Sequence, residues 1–427
     1  MNYGRQVRVL FIFFITYLLF IPNELKAQLS PEQYLEESPL GSWNNFGADS
    51  APSLGAGLRQ IVLLNSGASL LGNPAALAAG SSGSVLDFSF RFQQARLYKF
   101  WMVNTGVLST TGNLNCLTAG LSYAGFSGRI KGWTLAGAYA QTENYSRPKI
   151  DYSLTRDGLL YEQLLLSQTG RQEVYAVGLA RSLGRRLSFG LTLAVLNGYL
   201  RRNFEEILWV DKVNLKDVRN QKISGRYLVL GLLYQFNEKL ALGWSLIPPY
   251  TRKFKGTSLS AFYSEETQVE ILGAGNDRVR MPLITGLGAF YKISAALDIS
   301  AEAIYFGWKS YTFNYFGETL ERNFKNILRL SSGLSYKSTF TFLRKQWEAP
   351  YYAGIMIDPQ PMTDVRSTYY YLTFGSGMGN ADFLLILSTT IGLEKGSGHN
   401  LTNQKVCLSL QLRPALLNKF IGCRKQK

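Results

Sequence analysis

The stretch Leu187-Ser188-Phe189-Gly190-Leu191-Thr192-Leu193-Ala194-Val195 alternates large apolar side chains with small or weakly polar ones. Successive side chains of a β-strand point to opposite faces, so this pattern gathers the large side chains on one face and the small ones on the other. Half-buried strands of soluble sandwiches show the same pattern. The stretch therefore predicts a strand with one strongly apolar face, and the rest of the chain must indicate what that face contacts.

The same alternation recurs along most of the chain. Further clear segments are 86–92, 117–124, 133–139, 228–236, 240–246, 283–291, 297–305, 328–336, 383–393 and 406–412, and weaker ones are 175–179, 351–357 and 368–374. Together they predict about fourteen strands, most of them near the ~9 to 11 residues that a tilted strand needs to cross a membrane. Large apolar side chains on one face and Ser, Thr, Gly and Ala on the other favour a barrel with lipid outside and a polar or tightly packed lumen.

The predicted connections between these strands alternate in length. The short ones are 127–131, 183–186, 237–239, 292–295 and 376–381, and the long ones are 93–112, 145–172, 202–221, 254–277 and 309–325. Membrane barrels have short periplasmic turns and long extracellular loops, so the alternation favours such a barrel. The connection 337–350 is long where a short turn is expected, which indicates either a missed strand or a periplasmic excursion.

The N-terminus has the pattern of a signal peptide. Arg5 and Arg8 precede the apolar run 9–21, and the small residue Ala27 fits the position before a cleavage site. No later apolar run approaches the ~20 residues of a membrane-spanning helix. The chain is nevertheless 46% hydrophobic with 25 Tyr and 25 Phe. An exported protein of this kind is expected to be either a secreted all-β protein or a barrel of the bacterial outer membrane.

Charge and cysteine content exclude several kinds of site. The formal net charge is +16, but the charges are scattered and follow a signal peptide, so nucleic acid is not the expected partner. Outer-membrane lipid headgroups or lipopolysaccharide are the expected counter-charges. Three cysteines, Cys116, Cys407 and Cys423, cannot all pair within one chain, and a disulfide framework is not predicted. No Cys/His spacing indicates a metal, and no cofactor is predicted.

Before the first strand lies Leu71-Gly72-Asn73-Pro74-Ala75-Ala76-Leu77. Asn-Pro initiates turns and Pro favours the first position of a helix, so a compact turn followed by a short helix is expected. The predicted division is a signal peptide at 1–27, a plug segment at 28–82, a barrel at 83–413 and a basic tail at 414–427. The fold class is all-β, a transmembrane antiparallel β-barrel of about fourteen strands with a short N-terminal plug.

This order of features resembles the FadL/TodX family of outer-membrane transport proteins. In that family an N-terminal hatch with an Asn-Pro-Ala motif plugs a fourteen-stranded barrel. The match here falls on Gly72, Asn73, Pro74 and Ala75, preceded by Ser53-Leu54-Gly55-Ala56-Gly57, which is similar to the glycine-containing opening of the hatch. The resemblance implies uptake of hydrophobic compounds, such as long-chain fatty acids, by passive diffusion. One departure is the end of the last strand, Leu410-Gln411-Leu412-Arg413-Pro414, which lacks the usual final aromatic residue.

A candidate surface for ligand capture lies in the predicted long connection 145–172. The apolar residues Leu160, Tyr161, Leu164 and Leu165 recur at helical spacing. The alternative is that this stripe packs against a neighbouring loop.

Two arginines are expected to point into the lumen. The alternation places Arg91 and Arg329 on the inward face, where each could meet a carboxylate head group. The alternative is a set of lumenal salt bridges with Asp87, Asp298 and Glu302.

Two other functions remain open at this stage. The FadL/TodX family includes PorV-like members that serve a secretion machine, so the barrel could dock partners of a secretion system. An outer-membrane lipid hydrolase would need a nucleophile with a base, and the one histidine, His399, follows Ser397 and precedes Asn400 in a glycine-rich connection. A lone loop histidine is most often a solvated turn residue, so we predict that the protein is not an enzyme.

Overall fold

The computed structural model describes residues 46–62, 66–79, 85–96, 115–156, 158–273, 277–315, 318–321, 323–363, 366–396 and 402–413. The predicted signal peptide, the beginning of the predicted plug and the basic tail lie outside these residues. The described residues contain three short helices and twenty strands. The helices are α1 (Ala51–Gly55), α2 (Ser69–Gly72) and α3 (Ala76–Ala79). The strands are β1 (Val85–Arg96), β2 (Asn115–Ile130), β3 (Trp133–Asn144), β4 (Arg147–Arg156), β5 (Leu159–Leu183), β6 (Leu187–Leu208), β7 (Val213–Gln235), β8 (Leu240–Ile247), β9 (Tyr250–Tyr263), β10 (Gln268–Gly273), β11 (Asp277–Met281), β12 (Ile284–Lys292), β13 (Leu297–Phe306), β14 (Thr312–Tyr315), β15 (Glu318–Glu321), β16 (Ile327–Phe342), β17 (Lys345–Pro359), β18 (Thr368–Gly379), β19 (Phe383–Lys395) and β20 (Thr402–Leu412).

The strands form one closed antiparallel ring. The order around it is β1, β2, β3, β5, β6, β7, β8, β12, β13, β16, β17, β18, β19 and β20, and β20 pairs with β1. Each alternating segment of the sequence lies on one of these strands. The predicted fourteen-stranded antiparallel barrel is therefore confirmed.

Several strands are much longer than the sequence pattern predicts. The strands β5, β6 and β7 contain 25, 22 and 23 residues. Beyond the ring, β4 pairs with the far end of β5, β9 with the far end of β7, and β10 with β9. The predicted long loops 145–172 and 202–221 are therefore mostly paired strand, and the expected strand length is wrong for this side of the barrel. Polar residues replace the apolar outer face there, so alternation of hydrophobicity ends while the ladder of hydrogen bonds continues.

The connection 337–350, which broke the predicted alternation, is a tight hairpin. Lys337 pairs with Pro350 and Phe342 pairs with Lys345, so only Leu343 and Arg344 form the turn. Both have positive φ, 49° and 60°, as a type I′ hairpin turn requires. Neither a missed strand nor an excursion exists here, because β16 and β17 simply extend to the turn.

The two faces of the ring differ as the alternation predicts. The outward face carries exposed large apolar residues on every side, for example Phe90, Leu117, Leu193, Leu287 and Leu372. The inward face carries buried Ser, Thr, Gly and Ala, together with ionic groups. No helix in the described part of the chain is long and apolar enough to cross a membrane.

Candidate functional site within the barrel

The described residues 46–62 and 66–79, called here the N-terminal segment, bond to strands on all sides of the ring. Inward-facing hydroxyls of β2, β6, β8, β18 and β19 donate to its backbone carbonyls. The pairs are Ser122 to Asp49 at 3.0 Å, Thr192 to Leu70 at 2.9 Å, Ser245 to Gly72 at 2.5 Å, Thr373 to Gly55 at 2.9 Å and Ser388 to Ala51 at 2.7 Å. A segment that contacts one face of strands all around a closed ring lies inside the ring.

These hydroxyls satisfy a specific need of the segment. Its helices contain only four or five residues, so most of their backbone N–H and C=O groups have no partner within the helix. Buried backbone groups require partners. The wall supplies them as acceptors too, since Ala51 N donates to Ser409 Oγ at 2.8 Å and Gly57 N donates to Thr373 Oγ1 at 3.0 Å. The small polar side chains of the inner face thus provide the hydrogen-bond partners of the N-terminal segment.

Asn73 joins three parts of the structure. Its Nδ2 donates to the carbonyl oxygens of Ile61 and Leu232, both at 3.0 Å, and its Oδ1 accepts from Ala75 N at 3.1 Å. The side chain is fully buried. Ile61 belongs to the N-terminal segment and Leu232 to β7 near its short turn, so one amide holds the turn, the segment and the wall together.

Two wall glycines allow the Asn73-Pro74 turn to approach the barrel. A Cβ at Gly190 on β6 would lie 2.4 Å from the carbonyl carbon of Pro74, and one at Gly231 on β7 would lie 2.1 Å from Asn73 Oδ1. Any side chain at either position would displace the turn. The motif residues Asn73, Pro74 and Ala75 therefore pack directly on the inner surface of β6 and β7.

A buried carboxylate of β13 holds the middle of the segment. Glu302 accepts hydrogen bonds from the backbone N–H groups of Gln60 at 2.9 Å, Ile61 at 2.7 Å and Val62 at 3.0 Å. Successive N–H groups that converge on one anion form a strong, charge-assisted contact. The amide of Gln60 continues the network within the segment, donating to Ser53 Oγ at 2.8 Å.

A second ionic contact holds the start of the segment. Asp49 Oδ2 lies 2.6 Å from Arg91 Nη1 on β1 and 3.2 Å from Lys405 Nζ on β20, and all three side chains are buried. Burial alone would raise the pKa of Asp49, but Lys405 and Arg91 outweigh it and lower the pKa to about 2. The ionised carboxylate is thus favoured where the first and last strands meet.

An aromatic cluster, called here the aromatic wall, lines the interior beyond the N-terminal segment toward the long hairpins. It consists of Phe306, Trp308, Tyr311 and Phe324, with ring centroids 5.5 to 6.4 Å apart, and all four are buried. Arg329 lies over the Phe306 ring with its guanidinium carbon 5.2 Å from the centroid. The aromatic wall is therefore apolar, with Arg329 at its edge.

The ladder of strand pairing is interrupted beside the aromatic wall. Pro248 and Pro249 separate β8 from β9, Pro282 lies between β11 and β12, and the turn at Trp308–Ser310 separates β13 from β14. Proline has no N–H to donate to a ladder, so these positions cannot pair normally. Strand pairing is thus interrupted at the same level in three neighbouring places: between β8 and β9, between β11 and β12, and between β13 and β14.

The opposite end of the interior opens into a cavity of about 390 Å³ between two short turns. Its lining includes Ala241, Phe290 and Asp298. Arg59 of the N-terminal segment lies 3.1 Å from Asp298 and 5.9 Å from the centroid of Phe290. The segment thus separates this cavity from the aromatic wall.

The predicted capture residues do not form a helical stripe. All four lie on β5, where side chains alternate between two faces. Leu164 is buried, Leu160 and Leu165 are half-buried, and Tyr161 is exposed. The helical interpretation of Leu160, Tyr161, Leu164 and Leu165 is wrong, because the spacing arises on a strand with an irregularity near Tyr161. A role in capture stays a prediction.

The inward arginines and acids are placed as predicted, but their partners differ. Arg91 pairs with Asp49 rather than with a barrel acid. Asp298 pairs with Arg59, and Glu302 binds backbone N–H groups. Asp87 accepts from Gly67 N at 2.8 Å. These four barrel charges, Arg91, Asp298, Glu302 and Asp87, therefore hold the N-terminal segment.

Some predicted positions lie outside the described residues. These are His399 with Ser397 and Asn400, Cys423, and the side chain of Cys116. Cys407 is a free, buried thiol. Among the described residues, no group of three or more His, Cys, Asp or Glu side chains is placed to hold a metal ion.

Sequence reasoning did not identify Asp49 or the segment-binding role of Glu302. A signal did exist for Glu302, because the alternation in segment 297–305 places this acid on the inward face. Its actual partners are backbone groups, which no side-chain pattern can reveal.

Comparison with solved structures shows which known proteins share this architecture. No protein-family model and no curated protein matches the sequence. A FadL homologue of Pseudomonas aeruginosa superposes with a TM-score of 0.63 at 11% identity, covering 87% of this chain and 99% of the other. The toluene transporter TbuX of Ralstonia pickettii gives 0.57 at 16% identity over 86% and 99%. The monoaromatic hydrocarbon channel CymD gives 0.59 at 14% identity over 87% and 98%.

The chain has the FadL-type fold. The likeness covers nearly all of each matched protein, and none of the three is named as an enzyme. At 11 to 16% identity it shows the fold alone. The contacts of Asn73, Glu302 and Asp49 described above were found in this chain and are not inferred from the similar structures.

Proposed function

We propose that this protein is a bacterial outer-membrane channel that admits hydrophobic compounds by passive diffusion, and that the N-terminal segment is its plug. The observation that carries the proposal is the position of this segment inside the barrel, between the aromatic wall and the cavity at the short turns. The exposed apolar outer face and the predicted signal peptide support location in the outer membrane. The named functions of the structurally similar transporters agree with this proposal.

The interior chemistry favours solutes that are mostly apolar. Burial of apolar surface contributes about 25 cal/mol per Å² and needs no directional contact, so rings such as Phe306 and Trp308 can accept varied hydrocarbons. Arg329 at the edge of the aromatic wall offers a cation to a carboxylate, as in a long-chain fatty acid. Comparing uptake of a fatty acid with uptake of an aromatic hydrocarbon of similar hydrophobicity tests this finer assignment.

Passage requires the plug to shift, because its contacts span the ring. A disulfide can test this directly. A Cβ at Gly55 would lie 2.8 Å from Ser388 Oγ, close to the spacing needed between a Cβ and the partner sulfur. In a chain whose Cys116, Cys407 and Cys423 are replaced by alanine, Gly55→Cys with Ser388→Cys would bind α1 to β19.

The measurement is uptake of a labelled hydrocarbon into vesicles of neutral lipid that contain the purified protein. We expect the oxidised double variant to lose most uptake and to regain it on reduction. The two single variants are the controls, and neither should respond to the reductant. Undiminished uptake by the fully oxidised double variant would contradict a mobile plug.

A further inference from the structure

Six cations form a compact patch on the outer surface of the barrel. Lys222 and Arg226 lie on β7, Lys253 and Lys255 on β9, and Arg278 and Arg280 on β11, and all six are exposed. These residues are called here the cationic patch. They point away from the lumen, because the residues that alternate with them, such as Ile223, Phe254 and Val279, are buried in the interior cluster.

The strand register places like charges directly beside each other. Lys222 is opposite Lys255, and Lys253 is opposite Arg278. Residues directly opposite on antiparallel strands have Cβ atoms about 5 Å apart, and like charges at this separation destabilise the pairing. No carboxylate of the described residues forms an ion pair with any of the six. The arrangement is therefore electrostatically unfavourable unless an anion from outside the chain binds it.

The position of the patch indicates which anion this is. Immediately below it toward the short turns, the outer face becomes apolar, with exposed Leu228 and Leu232 on β7 and Leu242 on β8. Cationic side chains directly beside a lipid-facing apolar surface lie at the depth of the lipid headgroups. The patch is on the side of the long hairpins, opposite the short turns.

We propose that the cationic patch binds the phosphate groups of lipopolysaccharide in the outer leaflet. The proposal rests on the proposed function only for the orientation of the barrel in the outer membrane. Several strongly basic side chains on three adjacent strands match a headgroup that carries more than one phosphate, since each phosphate offers three acceptor oxygens. Lipopolysaccharide bound there shields Lys222 from Lys255 and Lys253 from Arg278.

The test uses the purified full-length mature chain in neutral detergent. Binding of lipopolysaccharide is compared with binding of the same glycolipid after removal of its phosphates, and with phosphatidylglycerol. The variant carries Lys222→Gln, Lys253→Gln, Lys255→Gln and Arg278→Gln. The matched control carries Lys131→Gln, Arg185→Gln, Arg186→Gln and Lys239→Gln, which removes the same charge from exposed positions at the short-turn end.

We expect the patch variant to bind intact lipopolysaccharide at least about tenfold more weakly, because each basic residue near an anionic surface contributes appreciably to attraction. The control should bind as the unchanged protein does, and the dephosphorylated glycolipid should bind the unchanged protein about as weakly as the variant binds the intact one. Equal binding by variant and control would overturn the proposal. So would phosphatidylglycerol binding as tightly as lipopolysaccharide, which would assign the patch to anionic lipid in general. Hydrocarbon uptake in neutral vesicles is measured separately, so failure of the channel proposal is distinguishable from failure of this one.

Discussion

The amide of Asn73 and the carbonyl oxygen of Leu232 are joined by a hydrogen bond of 3.0 Å between the N-terminal segment and the barrel wall. Leu232 lies on β7 three residues before the strand ends at Gln235. The bond therefore fixes the turn Asn73-Pro74 near the short-turn end of the ring. The same amide group also holds Ile61, so this one side chain couples two distant parts of the N-terminal segment to one strand.

Replacing Asn73 with alanine should loosen the plug while leaving the barrel intact. The substitution leaves the carbonyls of Ile61 and Leu232 and the N–H of Ala75 without their partner, and each unsatisfied buried group costs about 1 to 3 kcal/mol. We expect faster hydrogen exchange at residues 60–62 and 66–76, and higher uptake of hydrocarbon. Asn197→Ala, at an exposed outward position of β6, is the matched control. Unchanged exchange in Asn73→Ala would show that the motif does not hold the plug.

The effect of a substitution at Glu302 on hydrogen exchange should depend on how many acceptor atoms the new side chain keeps. Glu302→Gln keeps one carbonyl oxygen for the N–H groups of residues 60–62, whereas Glu302→Ala keeps none. We expect exchange of these three amides to rise modestly in the first variant and strongly in the second, because hydrogen bonds to a charged acceptor are about twice as strong as neutral ones. Glu265→Gln, on an exposed hairpin, controls for loss of one charge. Equal exchange in both Glu302 variants would argue against the contact.

The hold of Asp49 on the barrel should weaken in acid. Its pKa is lowered from 3.8 to about 2 in the folded protein, so the unfolded carboxyl binds a proton first as pH falls. The stabilisation, about 2 kcal/mol by this difference, is complete above pH 4 and is lost as pH falls toward 2. Thermal unfolding measured from pH 6 to pH 2 should show this loss. Asp49→Asn should flatten that part of the profile, and a profile identical to that of the unchanged protein would contradict the assignment.

Trp308→Ala should alter which solutes pass. Removing the central ring of the aromatic wall leaves a cavity and costs about 3 to 5 kcal/mol in a packed site. We expect a higher ratio of uptake for bulky hydrocarbons relative to small ones, measured in the same vesicles. Trp209→Ala, on the exposed tip of the hairpin between β6 and β7, should leave the ratio unchanged. An unchanged ratio in Trp308→Ala would place the path elsewhere.

The sequence predicts the barrel well because its outer face must be apolar wherever it meets lipid. The segment 187–195 is one example, and its alternation continues on every strand of the ring. Prediction fails beyond the lipid-facing part of the barrel, where the outer face need not be apolar. Leu160 and Leu164 lie on such a part of β5, so the sequence there no longer alternates with period two. The hairpin at Phe342–Lys345 is not apparent in the sequence for a similar reason, because the two strands pair through polar residues up to the turn.

The candidate site is only partly predictable. The motif at Asn73 indicates where the N-terminal segment turns, since its residue types suit a tight turn against a wall. Its partners could not be predicted, because Ile61 and Leu232 contribute backbone carbonyls that carry no residue signature. The same is true of the three N–H groups at Glu302. Asp49 was missed for a different reason: its partners Arg91 and Lys405 become neighbours only when the ring closes.

The contact of Asp49 also joins the two ends of the sheet. Arg91 lies on β1 and Lys405 on β20, and these two strands complete the ring although they are the first and the last in the chain. Asp49 therefore contacts cations on both of the strands whose pairing closes the barrel. Asp49 belongs to the N-terminal segment, which precedes β1 in the chain, so this contact links the segment to both strands of the junction. A chain that lacks this carboxylate would lose the anion that Arg91 and Lys405 share where the first and last strands meet.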